Sequence, residues 1–371
     1  MNEEPIISAT NQAEVTCPSC AGNLLYSPGT KSLKCEHCGT IVEIDDSPLT
    51  VEELDFEEYL SKVSDDIETQ EIITAQCTSC GAHVNFDPNI VSDRCPFCSS
   101  ILVITEPEKE TQIKPGSVLP FAITRDDAFG QFRKWIKKLW FAPNDLTKKV
   151  TNSDSLNGVY VPFWTYDAET YTQWRGRRGD NYYETETYTT TENGKPVTKT
   201  RTVTKIRWTS VSGDFNRFFD DVLVLASQSL PKKYADELEP WDLENLESYN
   251  ERYLSGYRTE TYQVNLKTGY DEAKAIMKRE LSADVRSRIG GDHQQITEQV
   301  TEHSDIKFKH ILLPIYISAF NYGKKVYRFL VNARTGEVQG ERPYSVWKIV
   351  FACLGVVAIG VLGYFIYNYY Y

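Results

Sequence analysis

Cys17-Pro-Ser-Cys20, fourteen residues, Cys35-Glu-His-Cys38: this stretch returns sixty positions later as Cys77-Thr-Ser-Cys80, fourteen residues, Cys95-Pro-Phe-Cys98. Four thiolates carried on two tight knuckles can enclose a tetrahedral Zn²⁺, and the spacing is that of a zinc ribbon. One Cys-x-x-Cys would serve equally as a redox pair; two matching quartets point to metal. The candidate ligands are therefore Cys17, Cys20, Cys35 and Cys38 for one structural Zn²⁺ and Cys77, Cys80, Cys95 and Cys98 for a second. An all-thiolate shell leaves no coordination position open for water, so both sites are expected to be structural and not catalytic. His37 and His83 stand beside the knuckles, but each block already offers four sulfurs without them. A disulfide framework is the competing reading. It needs an oxidising compartment, whereas Met1–Gln12 is polar and acidic and does not resemble a secretion signal.

The two blocks agree beyond their cysteines. Ser19, Pro28, Ser32 and Ile44 recur as Ser79, Pro88, Ser92 and Ile104, and Tyr26 and Lys34 are answered by Phe86 and Arg94. This is an internal duplication of one small unit. Gly22, Gly39 and Gly81 follow knuckles, where the chain must turn beneath the metal. A unit of about thirty residues buries too little apolar surface to be stable alone. Metal binding is expected to supply on the order of 10 kcal/mol of folding free energy per site.

At the other end, Ile349–Tyr371 carries no charged side chain. A helix over 347–367 would cover roughly 30 Å, the thickness of a bilayer core. Trp347 marks one interface and Tyr364, Tyr367, Tyr369, Tyr370 and Tyr371 the other. Arg334, Arg342 and Lys348 precede the span and nothing basic follows it, which predicts a single-pass protein of the cell membrane with its N-terminal body in the cytoplasm. A buried core helix is the alternative, but such a helix would interleave polar positions.

Between these ends the reading is a multidomain chain: zinc ribbon 13–45, acidic helical linker 46–74, zinc ribbon 75–106, mixed α+β domain 113–343 and transmembrane helix 347–367. In the linker, Thr50-x-x-Glu53 matches a capping box, and Val51, Leu54, Tyr59 and Val63 recur at near-helical spacing. Arg125–Phe141 has the pattern of an amphipathic helix, and Asp271–Ile289 that of a helix stopped by Gly290-Gly291. Val159–Tyr166 and Ile311–Phe320 are apolar, aromatic runs suited to buried strands, each with an internal proline. Lys325–Val331, Asn332-Ala-Arg-Thr-Gly-Glu and the following valine read as strand, turn, strand. Tyr182–Trp208 is a Thr- and Tyr-rich hairpin turning at Asn193-Gly194. Pairing outward puts Glu192 opposite Lys195 and Glu186 opposite Arg201, and the scarcity of apolar residues implies that it projects.

Function is less legible. The chain carries −12 from 40 Lys and Arg against 52 Asp and Glu, and neither ribbon is basic, so charge argues against nucleic acid, which must be met by clustered cations. The basic groups Arg133–Lys138, the supposed turn Arg175-x-Arg177-Arg178 and one hairpin arm could touch phosphates or anionic lipid. No P-loop, H-E-x-x-H or G-x-S-x-G occurs. His293, His303 and His310 are scattered, and Asp220-Asp221 has no evident role, so the expectation is a protein that is not an enzyme.

Taken together, the double cysteine unit, Leu313-Pro-Ile-Tyr, Asn332-Ala-Arg-Thr-Gly-Glu and the terminal span resemble a bacterial family of membrane-anchored zinc-ribbon proteins. These are described as having a transcription-factor-IIB-type ribbon or as primosomal-protein-N′-like. The second description would imply a helicase, for which this chain has no P-loop. Some relatives are similar to envelope-stress components. The resemblance implies an adaptor that recruits a cytosolic or membrane-associated partner, such as a phage-shock-protein-A-type coat protein or a flotillin-like protein, to the bilayer. The runner-up is a membrane-held nucleic-acid-binding ribbon protein.

Overall fold

The computed structural model describes residues 15–45, 52–61, 69–78, 82–85, 92–97, 100–103, 108–143, 145–146, 156–192, 194–322 and 325–370. The two proline-bearing apolar runs are direct neighbours. They pair antiparallel, with Val159 opposite Ile315, Tyr160 opposite Pro314 and Pro162 opposite Leu312. A proline removes a ladder donor, yet both keep their carbonyls bonded: Ala226 N–H donates to Pro162 and Ala333 N–H to Pro314. Lys325–Asn332 extends the sheet beside Ile315–Tyr322, and Val338–Gly340 follows it.

Period-two alternation decides what covers each face. Tyr160, Leu312, Tyr316, Phe329 and Val331 meet Ala128, Phe132 and Ile136 of the helix Arg125–Lys138, and on this side also pack Leu24, Tyr26, Leu33 and Ile44 of the first ribbon. Val159, Val161, Phe163, Ile311, Leu313 and Ile315 point the other way, towards Cys77, Ala82, Cys95 and Phe97 of the second unit. The two copies of the repeat thus sit on opposite faces of one sheet. Backbone bonds seat the first copy: Tyr26 N–H donates to Ser255 O (3.0 Å), Gly29 N–H to Phe121 O (2.9 Å), and Ser255 Oγ donates to Leu24 O (2.5 Å). Apolar burial therefore holds the ribbon on the body, since each fully buried large side chain contributes about 1.5–3 kcal/mol.

Three strands are far longer than their apolar runs. They cover Asn157–Glu192, Lys195–Leu225 and His293–Tyr322, with the first in the middle. The predicted hairpin is the tip of this system, and its register is the one expected from Asn193-Gly194, with Glu192 opposite Lys195 and Glu186 opposite Arg201. The third strand stops pairing at Gly179–His293, so the two-stranded tip continues from Asp180 to Glu192, roughly 40 Å at about 3.3 Å per residue. Most side chains there are exposed. Arg175–Arg178 is not a turn: these residues lie in mid-strand, opposite Ser212–Thr209. Gly176, within this stretch, serves close packing. A Cβ on Gly176 would stand 2.6 Å from Ile289 Cδ1.

That isoleucine ends the helix Leu266–Ile289, which buries Leu266, Tyr270, Ala273, Met277, Leu281, Val285 and Ile289 against the strands. The helix begins five residues before Asp271 because the Asn265 side chain accepts from Thr268 N–H. It ends where expected, with Gly290 at φ +65°. In the acidic linker, only Phe56–Ser61 is helical among the described residues. Leu54–Asp55 pairs instead with Lys307–Phe308, Phe56 enters the core, and Thr69–Gln76 is a strand paired with Glu108–Ile113. Thr50, Val51 and Val63 lie outside the described residues. The turn Asn332–Gly336 works as a clamp: Asn332 Nδ2 donates to Leu238 O (3.0 Å) and Pro240 O (3.3 Å), and Arg334 Nε reaches Asp242 at 3.0 and 3.1 Å. Finally, Val346–Tyr370 is a single exposed helix of 25 residues, long and apolar enough to span a membrane.

Candidate metal centre

Each knuckle is closed by the same backbone bond. Cys17 N–H donates to Gly22 O (2.7 Å) and Cys35 N–H to Thr40 O (2.9 Å). Each donor is thus five residues before its acceptor, and this geometry turns both sulfurs of a pair inward. The Sγ atoms of Cys17, Cys20, Cys35 and Cys38 all lie within 4.8 Å of one another. Cys17 and Cys38 are 3.5 Å apart and Cys20 and Cys35 3.6 Å. A disulfide needs about 2.05 Å, whereas four sulfurs about 2.3 Å from a central Zn²⁺ would be separated by about 3.8 Å. The quartet fits a metal ion and not a pair of disulfides. Cys17 and Cys35 are buried while Cys20 and Cys38 are solvent-accessible. At Cys38 the Thr40 hydroxyl (3.1 Å) and its backbone N–H hold the thiol below its usual value, which favours the thiolate that binds metal. Gly39 takes φ +77°, as expected beneath a knuckle, but at the first knuckle the positive φ falls on Ala21 (+55°). A Cβ on Gly22 would lie in ordinary contact with the sulfurs, 3.4 Å from Cys20 Sγ and 3.6 Å from Cys35 Sγ.

The second unit repeats this backbone. Cys77 N–H donates to Ala82 O and Cys95 N–H to Ser100 O, both at 2.8 Å. Its strands Ser92–Arg94 and Ile101–Val103 pair as Ser92–Val103, Asp93–Leu102 and Arg94–Ile101. This is the register of Ser32–Glu43, Leu33–Val42 and Lys34–Ile41 moved by sixty positions. Cys77 and Cys95 are buried; Cys80 and Cys98 lie outside the described residues. The first strands differ in partner: Leu24–Tyr26 pairs with Leu33–Cys35, whereas His83–Asn85 pairs with Thr74–Gln76.

The strands also assemble a charged cluster that the sequence reading passed over. Lys309, its side chain 8% exposed, places Nζ 2.7 Å from Asp221 Oδ1, 3.2 Å from Glu53 Oε1 and 4.0 Å from Asp167 Oδ2. A bulge opposite Asp167 makes this possible: Asp221 sits at φ +50° and donates its N–H to Asp167 Oδ1 at 2.6 Å. Burial pushes the Asp167 carboxyl up to about 6, against the lowering pull of that N–H and of Lys309. The carboxylates of Asp167, Asp220 and Asp221 lie within 4.8 Å of one another, but the Lys309 ammonium already stands beside two of them, so the group is an internal ion cluster. The sequence signals were the acidic pair Asp220-Asp221 and a lysine beside an apolar run, which come together only across the central strand, where Lys309 lies opposite Thr165. The histidines are dispersed. His310 is buried against Ile113 O (3.0 Å), and burial lowers it to about 4. His303 is lowered for the same reason, while His293 is exposed beside Asn181.

No family model matches the chain and no solved structure matches it. Among curated proteins, it is similar to the uncharacterized protein YdjG of Bacillus subtilis (strain 168), 27% identical over 335 residues, which is 90% of this chain and 91% of that protein.

Proposed function

We propose that this protein is a membrane-tethered zinc-ribbon adaptor that brings a cytosolic or membrane-associated protein to the bacterial cell membrane, its N-terminal body in the cytoplasm. Both cysteine quartets hold structural Zn²⁺ in this reading. Envelope stress is the setting that the family resemblance implies, with a phage-shock-protein-A-type coat protein or a flotillin-like protein as the partner. The observation that supports it best is the division of surfaces. Apolar ribbon residues pack on the body, the tail is an exposed apolar helix, and the hairpin tip stands clear with exposed Tyr183 (76%) and Tyr188 (41%). The tip is the surface offered to a partner. Tethering raises the local concentration of whatever it holds even when each contact is weak.

The test is photo-crosslinking in cells from Tyr183 or Tyr188. The expected result is a discrete crosslinked protein whose membrane association falls when residues 183–204 are replaced by a short Asn-Gly turn. Unchanged membrane association of every crosslinked protein after that replacement would refute the adaptor reading.

One observation favours the alternative, a membrane-held nucleic-acid-binding protein: Arg201, Arg207 and Arg177 stack over Tyr188, Tyr182 and Trp208. Against it, Glu184 and Glu186 neutralise Lys205 and Arg201 at 2.8–3.2 Å. Gel-shift affinity falling steeply with salt would favour this second reading.

A further inference from the structure

The tail helix and the helix Arg125–Lys138 meet at a cleft of about 640 Å³ whose lining includes Ile136, Lys137, Trp140, Pro143, Lys348 and Phe351. The cleft is tied together by backbone contacts. Ser345 N–H donates to Phe141 O (2.7 Å), and Lys348 Nζ donates to the carbonyls of Trp140 (3.1 Å) and Ala142 (2.8 Å). The turn that follows the helix is thereby held against the first turn of the apolar span.

Positive charge gathers here in an acidic chain. Lys134, Lys137 and Lys138 are spaced i, i+3, i+4 and so share a helix face. All three are exposed, and among the described residues none has an ion-pair partner. Between Ala128 and Leu146 there are four cations and one carboxylate, Asp145; between Arg342 and Lys348 there are two cations and none. The overall charge of −12 makes this local excess stand out. Aromatic rings surround it: Trp140 is 78% exposed, Trp347 73% and Tyr344 55%. Indole and phenol rings at the start of an apolar span sit at headgroup depth. One wall of the cleft, Phe351 and Ala352, belongs to the span itself.

We propose that this cleft binds one anionic phospholipid of the bilayer that the tail crosses, its phosphate at Lys137 on the cleft wall, with Lys134 and Lys138 on the neighbouring turn of the same helix adding positive charge, and an acyl chain along Phe351 and Ala352. The inference rests on the membrane reading of the tail. A soluble anion would match the lysines equally well, but it would not use an apolar wall supplied by the span. Basic residues at the base of a span are drawn to anionic lipid, by roughly fivefold in affinity for each Lys or Arg.

The experiment uses the full chain. Flotation with phosphatidylcholine vesicles, with and without phosphatidylglycerol, tests insertion; native mass spectrometry of the detergent-released protein then counts retained lipids. The expected result is insertion into both vesicles and one phosphatidylglycerol retained in preference to phosphatidylcholine. The K134Q/K137Q/K138Q variant, with an unchanged unfolding temperature, is expected to lose phosphatidylglycerol affinity by on the order of 100-fold while still inserting. Equal retention of the two lipids, undiminished retention by the variant, or displacement by inorganic phosphate as effectively as by added lipid would each overturn the site. Failure to float with either vesicle overturns the span reading, and this inference with it.

Discussion

Replacing Lys309 by Met removes the buried cation from among three carboxylates, leaving Lys307, 41% exposed and 3.6 Å from Glu53, while keeping the length of the side chain. The ammonium lies 2.7 Å from Asp221, 3.2 Å from Glu53 and 4.0 Å from Asp167, with only 8% of the side chain exposed. Breaking a buried pair by deleting one partner costs about 3–5 kcal/mol, because the remaining charge is left uncompensated. For a body of this size, about 2–4 °C of unfolding temperature accompanies each kcal/mol, so Lys309→Met is expected to lower the transition by about 10 °C. The pH dependence carries the sharper prediction. Asp167 already has a folded pKa of about 6, above its ordinary value. Its contribution is therefore fully present below about pH 4 and lost as pH rises through 6. Without Lys309 its lowering pull on Asp167 is gone and that carboxyl is pushed higher still, so the defect of the variant should shrink as pH falls from 7 to 5. Thermal unfolding of wild type and variant, followed by tryptophan fluorescence in detergent at both pH values, measures this. A deficit that stays constant or grows on acidification would refute the electrostatic account, and one under about 1 kcal/mol at pH 7 would show that the cluster is solvent-screened.

Elemental analysis of purified protein should find two Zn²⁺ per chain, falling to one in C17S/C38S and to one in C80S/C98S; one equivalent in the natural chain would restrict the metal to the first ribbon. Two helical glycines should respond with opposite signs. At Gly130 nothing lies within 4 Å of an added Cβ, so Gly130→Ala should stabilise by up to about 1 kcal/mol through helix propensity. At Gly269 the Cβ would meet Tyr166 Oη at 2.5 Å and Trp164 Cδ1 at 2.9 Å, both on fully buried side chains. Gly269→Ala should therefore destabilise by about 1–3 kcal/mol; a gain in unfolding temperature there would mean the helix does not cross the strands this closely.

The features legible in the sequence were those with a local cause. The knuckles are written in Cys-x-x-Cys spacing, the tip register in Asn193-Gly194, the helix stop in Gly290-Gly291 and the tail in uninterrupted hydropathy. The misses share the opposite property. Arg175–Arg178 was read as a turn, yet it lies in mid-strand, and Gly176 admits Ile289, more than one hundred positions away. Leu54 fitted a helical period, but pairing with Phe308 placed it in a strand. The Lys309 cluster joins residues from four separated segments and exists only once strands pair and a bulge turns Asp221 inward.

The placement of the ribbons follows the same logic and bears most on function. Thirty residues with a metal quartet read as a freestanding module, because spacing says nothing about what the outer apolar residues touch. Leu24, Tyr26, Leu33 and Ile44 meet one face of the sheet, and Ala82 and Phe97 meet the other. A partner recruited through those apolar surfaces would have to pull a ribbon off the body, exposing side chains whose burial contributes about 1.5–3 kcal/mol each. Recruitment through the hairpin carries no such cost. The adaptor reading therefore predicts that metal loss weakens the body before it weakens partner capture, whereas ribbons acting as the docking surface would lose capture first.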